Sequence, residues 1–149
     1  MSTINSTYRI DNTEYGIKSD GSDSTATTNG LQNALNYASS AGCRDVYLDA
    51  GTYAIDCTNQ IQVYNGTTYC GIRIPSGIHL HLDPNTVLKA QANGLTDYAM
   101  ICFCDATDAG LYGGKLYGDR DSHDFSASGT HEACHVIAIR ISSYITVKN

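Results

Sequence analysis

Tryptophan is absent from this sequence, and among its 149 residues there are only two prolines and two phenylalanines. Charge is scarce as well: Asp, Glu, Lys and Arg make up 16 % of the chain, below the roughly one quarter usual for a soluble domain. Nine basic residues face fifteen acidic ones, for a net charge of −6, and the Lys and Arg form no cluster. A nucleic-acid partner, which needs a basic footprint, is therefore not expected. No apolar run approaches about 18 residues, so no helical membrane span is expected either. The start, Met1-Ser-Thr-Ile-Asn-Ser-Thr-Tyr-Arg9, lacks the basic and apolar segments of a secretory leader. Either the protein is made in the cytosol or a leader precedes these residues. The six cysteines (43, 57, 70, 102, 104 and 134) show neither CxxC nor zinc-knuckle spacing. They are expected as buried free thiols, with Cys102 and Cys104 on one strand face. No metal and no cofactor is expected.

What the chain does have is a 42 % hydrophobic content, fourteen glycines, eleven tyrosines and polar positions filled by Ser, Thr and Asn. A chain of this size buries roughly 70 % of its unfolded surface, enough for a core without metal or disulfide. Residues 1–27 are polar and turn-rich, densest at Ser19-Asp-Gly-Ser-Asp-Ser-Thr25, and read as an N-terminal extension and loop. Leu31, Ala34, Leu35 and Ala38 recur at helical spacing, which predicts a helix over 28–42, with Thr25 or Thr28 as N-cap and Gly42 as its stop. From residue 43 to 149 every apolar stretch has period two and is β-branched or aromatic, giving about ten short strands.

Asn-Gly turns are scarce between those strands, so a meander of hairpins fits poorly. The units Ser76-Gly-Ile78, Ala109-Gly-Leu111 and Ser142-Ser-Tyr144 instead fall 33 residues apart, twice in succession. A period of that length indicates a solenoid in which each circuit of chain adds one rung. Because the rungs are strands, the expected architecture is an all-β solenoid, a single-stranded parallel β-helix. The open first rung needs cover, and the helix is placed to cap it. A small two-sheet sandwich is the alternative if the recurrence is chance.

Four segments carry a resemblance. They are Gly16-Ile-Lys-Ser-Asp-Gly-Ser-Asp-Ser-Thr25 before the helix, Ala41-Gly-Cys-Arg-Asp-Val-Tyr-Leu-Asp-Ala-Gly-Thr-Tyr53 after it, and the later Gly113-Gly-Lys-Leu-Tyr-Gly-Asp-Arg-Asp121 with Ile139-Arg-Ile-Ser-Ser-Tyr-Ile-Thr-Val-Lys-Asn149. Over roughly residues 12–149 the chain resembles the right-handed parallel β-helix proteins of the pectate-lyase-like superfamily. That group includes polygalacturonases, alginate epimerases and phage tailspike depolymerases. The resemblance implies a pectin-lyase-like fold with an N-terminal capping helix, of which residues 43–149 are the first coils. It further implies a polysaccharide partner, a place outside the cell or on a virion, and a trimer, as in tailspikes. Independently, an open last rung with unpaired strand groups is expected to be covered by further chain or by a partner chain. The fold hosts lyases, hydrolases, epimerases and adhesins alike, so a non-catalytic adhesive β-helix stands as the alternative function.

One stretch, residues 118–135, gathers Asp119, Arg120, Asp121, His123, Asp124, His131, Glu132 and His135. A glycosidase needs a proton-donating carboxyl and a second carboxylate as base or nucleophile, and Asp119, Asp121 and Glu132 are the candidates. An eliminating lyase needs a base and a cationic group for the developing negative charge, for which His123 and Arg120 are the candidates. The competing reading is a solvated loop held by Arg120 and its acidic neighbours. His79 and His81 alternate outward from Ile78, Leu80 and Leu82, and with Tyr112 and Tyr117 they are the candidate substrate-binding residues. Asn5-Ser-Thr7 and Asn65-Gly-Thr67 match the glycosylation sequon, which carries weight only in a secreted protein.

Overall fold

A computed structural model describes residues 6–149, so the Asn5 of the first sequon lies outside the described residues. The structure is mostly β with one helix. Strands β1 (Thr7–Arg9), β2 (Asp45–Leu48), β6 (His79–Leu82), β9 (Thr107–Tyr112) and β12 (Ser143–Lys148) form one five-stranded sheet in that order, all parallel. Strands β3 (Gly51–Ile55), β7 (Thr86–Ala90) and β10 (Lys115–Tyr117) form a second parallel sheet. The third holds β5 (Gly66–Arg73), β8 (Asp97–Cys104) and β11 (Ala133–Arg140) in parallel, with β4 (Gln60–Val63) added antiparallel on the β5 edge. Along the chain the strands visit the three sheets in turn, and each return lays a new strand beside the one from the previous visit.

The periodicity and the register differ in one respect. The cross-strand partners Asp45↔His79, His79↔Gly110 and Thr107↔Ser143 are 34, 31 and 36 residues apart, so the fixed 33 lies within their range but the circuits are unequal. Leu111 pairs with Leu80 and Val147, not with Ile78 and Tyr144 as the fixed spacing aligned them. The unequal corners absorb the difference.

Alternation places Val46, Leu48, Leu80, Leu82 and Leu111 inward from the first sheet, where they meet Tyr53, Ile55 and Leu88 from the second and Ile72, Ile101 and Phe103 from the third. Tyr53 is fully buried, and its hydroxyl is satisfied within the core, donating to the Asp49 carbonyl (2.8 Å) and accepting from Asn12 Nδ2 (3.1 Å).

The helix α1 runs Ser24–Ser40, starting four residues before the predicted 28, and its N-cap is Asp23, whose carboxylate accepts from Ala26 N–H (3.1 Å). Leu31, Ala34, Leu35 and Ala38 are buried, as their spacing predicts. Polar helix residues do a second job. Gln32 accepts from Arg73 N–H (2.8 Å) and donates to the Arg73 carbonyl (2.9 Å), and Thr28 Oγ1 accepts from Asp56 N–H (2.8 Å). These bonds satisfy strand groups that have no strand partner on that side. The extension 1–27 is not all loop, because β1 adds an outer strand to the first sheet.

The cysteines also depart from expectation. Cys102 and Cys104 form a disulfide, while 43, 57, 70 and 134 are free. Side chains two apart on a strand share a face, and their Cα separation of 5.8 Å lies inside the bridging range. The pair sits on the outer face of β8 beside Cys70, under Ile61 and Val63 of the β4–β5 hairpin. Burial pushes the Cys70 thiol up to about 12, so it stays protonated.

Candidate functional site

Between β10 and β11 the chain runs through residues 118–132, more than twice the length of the corresponding corner 91–96 one circuit earlier. The long corner folds over the short one and leaves a cleft of about 670 Å³ lined by Tyr98, Asp119, Arg120, His123, Phe125, His131, Glu132 and Cys134, with Gly118 and Val136. Asp119 follows β10 after Gly118 and precedes a 3-10 turn, Arg120–Ser122. The Asp124 N–H donates to the Asn93 carbonyl (2.9 Å), fastening the long corner to the short one.

Asp119 is the centre of the site and is 3 % exposed. Its Oδ2 accepts from the Asn93 N–H (3.0 Å) and from His123 Nδ1 (2.8 Å), and its Oδ1 accepts from the Tyr98 hydroxyl. Burial alone would push this carboxyl up, yet the donors from Tyr98, His123 and Asn93 together hold it below the ordinary carboxylate range. The same contact, added to burial, pushes the Tyr98 hydroxyl well above the usual tyrosine value. A carboxylate so enclosed stays ionised and has no proton to offer. Its chemical use is to orient and charge-balance an imidazole.

That imidazole is His123, whose Nε2 lies 2.8 Å from Nδ1 of His131. His131 Nε2 in turn faces the Ala127 carbonyl at 3.2 Å. Phe125 closes the group, packing against His123 and His131 with ring centroids 4.6 and 5.3 Å away. Arg120 and Glu132 lie at the exposed rim.

Of the predicted catalytic residues, Asp119, Arg120, His123 and Glu132 therefore meet at one cleft. Asp121 is exposed and outside its lining. The sequence does not point to Tyr98 or Phe125, and it points to His131 only as a member of the charged stretch, with no role assigned. His131 stood in the same charged stretch, but nothing in the spacing showed that it would touch His123. Tyr98 lies 21 residues before Asp119 and reaches it only because β8 and β10 lie on successive circuits.

The predicted substrate-binding residues separate. His79, His81 and Tyr112 lie together on the first sheet, while Tyr117 is half-exposed on the second. His79 points outward but is buried, held by the Tyr112 hydroxyl (2.8 Å) and Asp108 (3.1 Å). Asp108 is also gripped by Arg44, which with His79 holds its carboxyl below the ordinary range. His81 bonds Asp45 (2.8 Å) and is stacked between Tyr47 and Tyr112, with centroids 4.8 and 4.6 Å away. Rung spacing of about 4.8 Å matches ring stacking. The faces of His81 are thus spent on its neighbours, and only ring edges face outward. Among the described residues, no three His, Cys, Asp or Glu side chains converge as a metal site. No described helix is long and apolar enough to cross a membrane.

No family model matches the chain. It is 34 % identical over 128 residues to the SPbeta prophage-derived uncharacterized protein YorA of Bacillus subtilis, and 27 % identical over 137 residues to the uncharacterized protein YclG of the same organism. These alignments cover 86 % and 90 % of this chain but only 22 % and 23 % of the relatives, so the chain spans about a fifth of their length. Among solved structures, the A-module of the mannuronan C-5 epimerase AlgE4 of Azotobacter vinelandii matches 95 % of this chain and 41 % of its own, with a TM-score of 0.62 at 17 % identity. At that identity the likeness is one of fold, and the fold is β-rich and shared with a carbohydrate-active enzyme.

Proposed function

We propose that this chain forms the first coils of a right-handed, single-stranded parallel β-helix, capped by α1, that binds and cleaves an extracellular polysaccharide at the 118–132 corner. The strand order through three sheets and the epimerase module matched over nearly the whole chain support the architecture. The single observation that carries the activity is the buried Asp119–His123–His131 line ending in an open cleft. In this reading Asp119 stays charged and positions His123, His131 exchanges the proton, Arg120 meets negative charge, and Glu132 serves as the second carboxylate. The prophage-derived relative supports a place on a phage particle, working outside the cell. Exposed Ile139 and Val147 on the outermost strands, with Ile141 in the bend between them, suit cover by a further coil or by partner chains of a trimer.

The test is incubation with a panel of acidic and neutral polysaccharides, reading new reducing ends and the absorbance of unsaturated uronic acids. Reducing ends alone identify hydrolysis, and both together identify elimination. Glu132→Gln and Arg120→Ala, both on exposed side chains, are expected to lower turnover at least tenfold with an unchanged melting temperature. Glycan binding with no product from any substrate would overturn the enzymatic reading in favour of an adhesive β-helix.

A further inference from the structure

In the line from Asp119 to Ala127 the partners dictate where the hydrogens lie. The Asn93 N–H and the Tyr98 hydroxyl donate to Asp119, and an ionised carboxylate only accepts, so His123 Nδ1 must carry a hydrogen. At the other end a carbonyl oxygen only accepts, so His131 Nε2 must carry one too. What remains is His123 Nε2 and His131 Nδ1, 2.8 Å apart. In two neutral imidazoles both of these nitrogens would be lone pairs aimed at each other, and no hydrogen bond could form. One more proton is required between them.

We infer that His123 and His131 hold that extra proton jointly, as one monocation paired with Asp119, so that the cleft rests as a proton donor. This deepens the proposed function and rests on it for the acid's target. The groups around the pair are Asp119 and Asp124 on the corner, Glu132 and Cys134 leading into β11, Tyr98 on β8, and Arg120 at the rim. Three carboxylates favour the cation and one guanidinium opposes it. The outward end is His131 Nε2–H, and the Ala127 carbonyl occupies the place a substrate oxygen would take. Ala127 belongs to the exposed stretch 126–130, which contains Gly129 at φ +111°. A shift of that stretch exchanges one acceptor for the other.

The chemistry then runs acid first. The proton passes to the bridging oxygen as its bond to the sugar carbon breaks, and the bonding electrons stay on that oxygen. In hydrolysis a water oxygen bonds the carbon and its surplus proton restores the pair through Glu132. In elimination the proton lost from the carbon beside the uronate carboxyl does so. Until it returns, the inner proton stays on His131 Nδ1, donating to His123 Nε2, and the free lone pair is on His131 Nε2 at the outward end.

The experiment is an NMR titration of the whole chain with ¹⁵N-labelled histidine, following the ring nitrogens. The expected result is one transition shared by both rings, each moving about half of a full protonation shift, while His79, His81 and His135 titrate separately. In His131→Gln, the His123 ring is expected to complete a full transition of its own. Two independent whole-proton transitions in the wild type would overturn the inference. The titration needs no substrate. Shared titration without polysaccharide cleavage leaves the pair standing and removes the enzymatic reading, and cleavage with independent rings does the reverse. If both hold, kcat/KM falls about tenfold per pH unit above the shared midpoint.

Discussion

Asp119 shows how far one side chain can depend on residues remote in sequence. Its partners come from the 91–96 corner, from β8 and from its own turn, and three donors converge on a single carboxylate. Replacing it by Asn puts an amide NH₂ against at least one of those donors. The expected loss is about 1–3 kcal/mol at neutral pH, the cost of a buried group left without its partner. Folding holds the Asp119 carboxyl below its unfolded value of about 3.9, so its contribution is complete above that value and drains away as the pH falls through the folded one. Urea unfolding from pH 7 to pH 3 should therefore show the wild type and Asp119→Asn converging in acid, and parallel curves would contradict the assignment. A different residue tests strain. Ile141 is a β-branched, exposed residue at φ +48°, where a side chain branched at Cβ is poorly accommodated. Ile141→Asn should raise stability by about 1 kcal/mol, read as a higher urea midpoint at unchanged slope. The crowd of Asp, His and Glu at 118–135 was legible in the sequence because the rest of the chain is so poor in charge. The inward burial of Asp119 was not, since a carboxyl after a strand reads as a solvated turn unless its distant donors are known.

Among the elements, α1 was the most legible and also shows what a periodic pattern leaves out. Its apolar stripe gave the buried face, but the start was set by Asp23, one of several Ser and Asp residues in the preceding loop, each a plausible cap. Periodicity was equally silent about Gln32 and Thr28, whose polar side chains bond strand backbone. Leu35→Asp places an unpaired charge at a site of 0 % exposure and should abolish the cooperative melting of the circular dichroism signal. Gly30 separates two opposing effects within the same helix. Propensity alone favours alanine there by about 1 kcal/mol. An added Cβ would lie 2.4 Å from the Tyr15 carbonyl oxygen and 2.7 Å from Ile17 Cγ1, and backbone cannot step aside as a flexible side chain does. Gly30→Ala is thus expected to lower the melting temperature, and a rise would mean that the loop around Tyr15 yields easily.

At the scale of the whole molecule, the repeating visit to three sheets was visible as a spacing, while the pairing within them was not. Unequal corners move each strand by a few residues, and a register is settled by which side chains then fit inside. Beside β8 and β9, the outer strands β11 and β12 leave Ile139, Val147 and Tyr144 exposed, at 52, 45 and 83 %. Such an edge favours association. Light scattering of this chain is expected to show concentration-dependent self-association that Ile139→Lys combined with Val147→Lys reduces, with little change in melting temperature.

The long corner has one more consequence, for how such a protein can be changed. Its cleft lies between the long corner joining β10 to β11 and side chains of β8 and β11, while the strands on either side keep their pairing with β7 and β8. Under the proposed function, chemistry and scaffold are therefore separable: this one corner can be lengthened, shortened or replaced while the strands of the sheets keep their pairing. For the engineer the same partition makes residues 118–132 a cassette, with Asn93 and Tyr98 as the two fixed sockets that any replacement must plug into.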